Sequence, residues 1–192
     1  MKKIFYRFIS SQIWVYLLLI GLWWMFFYPV WLQGKLPIPA DLIVGGYFPW
    51  LDYKWGYPAG VPVKNPIISD AVSVIYPIKA LAVELVRDGE WPLWNWRMFS
   101  GYPLWANFQL GILFPTMFFY LIFETPVAWT FQVMAQPLIA LLGMYLLARS
   151  RLSTISSIFA SLAYGFGGFM MILKRTLRRY GFHLQPPANR RN

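Results

Sequence analysis

Long uncharged stretches alternate with one polar stretch along this chain. No charged residue falls between Arg7 and Lys35, and Ile13–Leu32 is an apolar run of twenty residues. That is the length a helix needs to cross roughly 30 Å of hydrocarbon. From Phe108 to Ala148 the only charge is Glu124, and from Leu152 to Leu173 there is none. The pattern predicts a first membrane helix over about 11–33, a short second one over about 110–123 interrupted by Pro115, a third over 129–147 and a fourth over 155–173. The fold class expected is an all-α integral membrane protein of about four transmembrane helices with a long first loop.

That loop, residues 34–107, has a different texture. Leu36–Asp41 and Pro58–Pro62 are rich in Pro and Gly, which forbid a long helix or a central strand. Between Ala71 and Asp88, Ile78, Leu81, Ala82 and Leu85 recur at helical spacing, while Lys79, Glu84, Arg87 and Asp88 fill other faces. The spacing predicts an amphipathic helix over 71–88 lying along the membrane surface, Lys79 and Arg87 outward, with Gly89 as its stop. The Trp- and Tyr-rich run Trp91–Pro103 follows, of a composition that gathers at the headgroup level.

The net charge of +10 changes meaning once it is located. Residues 34–107 hold six acids and six bases, and the excess sits at Lys2, Lys3, Arg7, Arg149, Arg151 and in the tail Lys174–Arg191. Bases flanking apolar spans act as cytoplasmic anchors and contacts to anionic lipid, so membrane lipids are the expected partners and no nucleic acid is. The organisation that follows is a cytoplasmic N-terminus and first helix (1–33), an extracytoplasmic loop (34–107), helices two to four (108–173) and a basic cytoplasmic tail (174–192). A retained anchor is favoured over a cleaved signal peptide, because the first apolar run exceeds the usual ~7–15 residues and no small-x-small cleavage site follows it. Arg149 and Arg151 disagree with this count, which leaves them outside. Either the second segment is re-entrant or the flanking helices fix the topology, and the second reading is preferred. Gly165-Phe166-Gly167-Gly168 lies in an apolar span with no preceding strand, so it reads as close helix packing and not as a nucleotide loop.

There is no cysteine, and the single histidine, His183, lies in the tail, so acid–base chemistry falls to carboxylates. Glu84, Asp88 and Glu90 fit a solvated helix face. Asp41 and Asp70 stand apart, although helix capping by Ser69 or Asp70, or a dipole contact, would also account for them.

Taken in order, Pro39-x-Asp41, Asn65-Pro66-x-x-Ser69-Asp70 with Tyr76-Pro77, Gly89-Glu90-x-Pro92-Leu93-Trp94-Asn95, Phe99-x-Gly101-x-Pro103, Ala106-Asn107-x-Gln109 and Phe114-Pro115 resemble the N-terminal region of the YfhO-type bacterial membrane proteins. Those proteins are related to the C-type membrane glycosyltransferases (GT-C superfamily). The resemblance covers roughly residues 10–172; where the family has proline after Asn95, this chain has Trp96.

The resemblance implies an enzyme of the bacterial inner membrane that moves a sugar from a polyprenyl-phosphate donor to an acceptor on the outer face. It implies Asp70 as the catalytic carboxylate and Asp41 as the second. An inverting transfer needs a base for the acceptor hydroxyl and a cation for the departing phosphate. Lys64 or Arg97 would supply that cation, or a divalent metal held by the carboxylates. Asn65, Asn95, Asn107 and Gln109 suit sugar hydroxyls, and Trp94 and Trp105 offer flat faces to a sugar ring. The alternative is a non-catalytic membrane protein that anchors or assembles a partner through its outer loop. After Leu173 the chain departs from the family into the basic tail, read either as native or as the mark of a truncated or frame-shifted product.

Overall fold

A computed structural model describes residues 12–63 and 65–168. Expectations placed on residues 1–11, on Lys64 and on 169–192, the N-terminal basic cluster and the basic tail among them, lie outside the described residues. The described chain is mostly helical, with one two-stranded hairpin. Two of its helical stretches are long and apolar enough to cross a membrane, Pro66–Arg87 and Thr125–Arg149, whereas Ile13–Phe26 and Thr154–Gly165 are apolar but shorter. The described residues divide into two compact units: 12–34 together with 133–168, and Lys35–Gln132.

In the first unit, the expected single helix over 11–33 is two helices, α1 (Ile13–Phe26) and α2 (Tyr28–Gln33), separated at Phe27. Pro29 is the cause: it has no N–H to give the Met25 carbonyl, and its ring crowds the turn before it. Val15 and Leu19 of α1 are fully buried with Leu141 and Tyr145 of α6 (Thr125–Arg149), and Ile158, Leu162 and Phe166 pack on this cluster. Ile13, Trp14, Leu17 and Met25 remain exposed, a set of side chains that only lipid solvates well.

In α7 (Thr154–Gly165), Ser157, Ser161 and Gly165 form a buried stripe. The Ser161 hydroxyl donates to the Leu141 carbonyl at 2.6 Å, and a Cβ on Gly165 would lie 2.5 Å from Leu141 Cγ. Small residues let two backbones approach, so close helix packing is the role of this glycine.

The second unit is built around α4 (Tyr76–Arg87), which continues without a break from a π-turn at Ala71–Ile75. Ile78, Leu81 and Leu85 are buried, as their spacing requires, but the chain itself covers them. Leu104 and Leu110 complete the cluster, with Met98, Tyr102 and Ile112 against it. Lys79 is not outward: it is only 5% exposed. The segment after Asn107 folds back over its side of α4, and Lys79 Nζ donates a hydrogen bond to the Leu110 carbonyl at 2.9 Å. A loop carbonyl cut off from water requires a donor, and the long lysine stem supplies one from within an apolar wall.

The hairpin pairs β1 (Trp94–Asn95) with β2 (Tyr102–Pro103), Trp94 opposite Pro103 and Asn95 opposite Tyr102. The expected second crossing over 110–123 is not a spanning helix. It consists of turns, a 3-10 turn at Pro115–Met117 and the five-residue α5 (Phe118–Ile122). Five residues rise only about 7.5 Å, far short of a bilayer.

Candidate functional site

Asp41 opens the short helix α3 (Asp41–Gly46), and its side chain is buried. Gly45 in the same helix lies so close to the Val61 carbonyl that a Cβ would approach it to 2.5 Å, so the Pro/Gly-rich segment docks directly on α3. α3 also packs against the π-turn that follows Asp70. Asp70 itself is exposed, although a carboxylate serving as base is expected to point into a cavity where acceptor and donor meet. Nor is it a cap: its backbone is already helical and its side chain accepts no capping hydrogen bond. Asn65 performs that task for the preceding 3-10 turn, accepting from the Ile67 N–H at 3.1 Å. π-turns are rare and concentrate at functional sites, and this one begins at the residue after Asp70.

A residue that sequence reasoning passed over connects the two acid-bearing segments. The Trp129 indole N–H donates to the Pro37 carbonyl at 3.1 Å, and its ring meets Tyr76 edge-on with centroids 5.5 Å apart. Pro37 lies four residues before Asp41 and Tyr76 six after Asp70. The apolar text around Trp129 disguised it as one more membrane-facing ring; only its buried N–H, which demands an acceptor, distinguishes it.

The asparagines assigned to sugar hydroxyls turn out to build turns. Asn65, Asn95 and Asn107 each accept, through Oδ1, the backbone N–H two residues ahead, at 3.1, 2.8 and 2.9 Å. This Asx geometry explains why Asn stands at all three positions. Asn95 is fully buried, with its Nδ2 lacking a hydrogen-bond partner, so it offers a sugar nothing. Asn107 Nδ2 reaches the Tyr102 hydroxyl at 3.5 Å, and Gln109 is exposed beside it.

Other motif residues also have structural duties. Gly89 has φ of +82° and ends α4, where the Glu90 N–H turns back to the Leu85 carbonyl at 2.8 Å. Gly101 has φ of +100° and lies under the Trp94 indole, where a Cβ would come within 2.8 Å of Nε1. Trp94 therefore spends one face on the hairpin, while Trp105 packs edge-on against Trp91.

Arg97, a proposed phosphate-binding cation, makes a two-pronged pair with Glu84 at 2.8 and 2.9 Å, tying the hairpin to α4. Both side chains are about half exposed, so the pair contributes little to stability, but it offsets the charge. Its guanidinium also lies 5.9 Å from the Trp96 ring. Among the described residues no three acidic or histidine side chains converge. Comparison of the chain with protein-family models, with curated proteins and with solved structures finds no match.

Proposed function

We propose that this membrane protein transfers a sugar from a polyprenyl-phosphate donor to a hydroxyl acceptor at the outer face, with Asp70 as general base and Asp41 in a supporting role. The observation that carries the reading is the state of Asp70. A carboxylate at a helix start is ordinarily explained by capping, and here it does no capping. It stands exposed on a π-turn against which the Asp41 helix packs. In the reaction Asp70 takes the proton of the acceptor hydroxyl as that oxygen attacks the anomeric carbon, and the bond to the polyprenyl phosphate breaks. Arg97 reaches the departing phosphate only by giving up Glu84. Lys64, one residue before Asn65 in the sequence, is therefore the cation we assign.

The test uses membranes from cells making the full chain, supplied with a polyprenyl-phosphate-linked hexose. Asp70→Asn is expected to lower turnover by about 100-fold or more, the usual contribution of a positioned base, with the protein still in the membrane. Asp88→Asn is the control and leaves the rate unchanged. Full activity in Asp70→Asn would end the catalytic reading. It would leave the alternative, a partner-binding outer loop, which the exposed rings of Phe48, Phe99 and Phe108 favour.

The same reading carries a topology. With no crossing at 110–123, and with α4 taken to stay on the outer side because its apolar face is covered by its own chain, α6 runs inward and brings Arg149 and Arg151 to the cytoplasm, in keeping with the excess of bases on that side. The conflict in the sequence count disappears; its cost is the basic tail, which a crossing by α7 would put outside. The chain has no cysteine, so single cysteines report cleanly. An impermeant thiol reagent added to intact cells is expected to label Ala59→Cys and spare Ser150→Cys. Labelling of Ser150→Cys alone, or of both, rejects the arrangement.

A further inference from the structure

A cleft of about 320 Å³ opens on one side of α4, walled by Val83 and Val86, by Trp91 and Trp105, and by Phe118 and Leu121. Apart from the indole N–H groups of Trp91 and Trp105 the lining side chains are apolar, so no charged group within the cleft would hold a phosphate or a metal. At the edge of this cleft stands one cation. Arg87 follows Val86 directly, and its Nη2 donates to the carbonyls of Tyr120 and Phe123 at 2.9 and 2.6 Å, on either side of the wall residue Leu121. The guanidinium is thus held in place by two neutral carbonyls. Asp88 and Glu90 lie exposed nearby, but the ion pair among the described residues belongs to Arg97 and Glu84, not to Arg87.

From this juxtaposition we infer that the cleft binds an anionic phospholipid of the surrounding bilayer, one acyl chain between α4 and the Phe118–Leu121 wall and the phosphate on Arg87. The charge complementarity is direct: an apolar slot next to a guanidinium that is held by neutral carbonyls, and that makes no ion pair among the described residues, matches a molecule with a hydrocarbon chain joined to an anion. The exposed rings of Trp91 and Phe118 at the rim are of the kind that settles at the headgroup level. Bulk lipid is the occupant we assign because the bilayer supplies it in great excess, so a modest affinity fills the site by mass action. The inference does not depend on glycosyl transfer.

The full chain, placed in phosphatidylcholine nanodiscs doped with phosphatidylglycerol and then released for native mass spectrometry, is expected to keep one phosphatidylglycerol in preference to phosphatidylcholine. Arg87→Gln is expected to lower that preference by roughly tenfold and Arg87→Lys to retain most of it, since the contact is charge-assisted. Arg87 also braces the 120–123 segment, so a second variant guards against misfolding. Leu113→Glu changes an exposed residue at the lip of the cleft and is expected to reduce phosphatidylglycerol retention with helix content unaltered. No preference in the parent chain, or an unchanged preference in both Arg87→Gln and Leu113→Glu, overturns the inference. Displacement of phosphatidylglycerol by an equal amount of polyprenyl phosphate also overturns it, by showing that the cleft serves a specialised carrier and not the bulk lipid.

Discussion

Trp129→Ala is expected to loosen the Lys35–Gln132 unit by about 3–5 kcal/mol, the usual cost of truncating a buried aromatic residue. The expected consequence is specific in place. The indole is the hydrogen-bond donor to the Pro37 carbonyl and the edge-on neighbour of Tyr76, and those two contacts tie the segment leading to Asp41 to the helix that begins beyond Asp70. Trp129→Phe keeps the ring contact and loses only the N–H, for about 1 kcal/mol, together with whatever the Pro37 carbonyl fails to recover from water. Hydrogen exchange in detergent micelles is the measurement. In Trp129→Ala, amides of residues 40–47 and 71–76 are expected to exchange faster together, while those of Leu81–Leu85 change little. Acceleration confined to α6, with 40–47 and 71–76 unchanged, would show that Trp129 is an ordinary packing residue of its own helix and ties nothing else.

Lys79→Asp is expected to disrupt the same unit as severely as Leu81→Asp, by roughly 3–5 kcal/mol, because each leaves an uncompensated carboxylate in a buried place. A lysine on a solvated face would tolerate the change within about 0.5 kcal/mol. At position 79 the carboxylate would also face the Leu110 carbonyl, turning a donor–acceptor contact of 2.9 Å into a repulsion between two acceptors. Lys79→Met separates the two parts of the effect. It keeps the apolar stem and removes only the donor, for about 1–3 kcal/mol, the desolvation cost of the abandoned carbonyl. Tryptic cleavage at Arg97, close to the segment that Lys79 clasps, supplies the readout. A rate for Lys79→Asp equal to that of the parent, beside a large increase for Leu81→Asp, would place Lys79 back at the surface.

Several features of the chain were legible because local chemistry decides them. The uncharged runs announced the apolar helices α1, α6 and α7, since removing twenty residues' worth of charge has no use in water. The periodicity of Ile78, Leu81 and Leu85 announced α4 and its buried face, and Gly89 announced its end. The motif order Asn65, Asn95, Gly101, Asn107 was also visible, but its meaning was not. Read as sugar-binding groups, the asparagines proved to be turn formers, each spending its side-chain oxygen two residues ahead. An Asx turn and a ligand contact use the same atom, and only coordinates tell which partner it has.

By itself, then, the amino-acid sequence determined that apolar helices lie in the regions of α1, α6 and α7, which face of α4 is apolar, and which acids have no place on a solvated helix face. Those are properties of a residue and its near neighbours. The tertiary structure decided what depends on partners far along the chain. It paired Arg97 with Glu84, clasped Lys79 to Leu110 across thirty-one residues, and hung Trp129 on Pro37 across ninety-two. It also turned 110–123 away from a crossing, because those residues cover α4 and supply carbonyls to Lys79 and Arg87. Apolar composition states only that a segment avoids water. Whether it does so in lipid or against its own chain depends on which surface is left uncovered, and that is known only once the chain has folded.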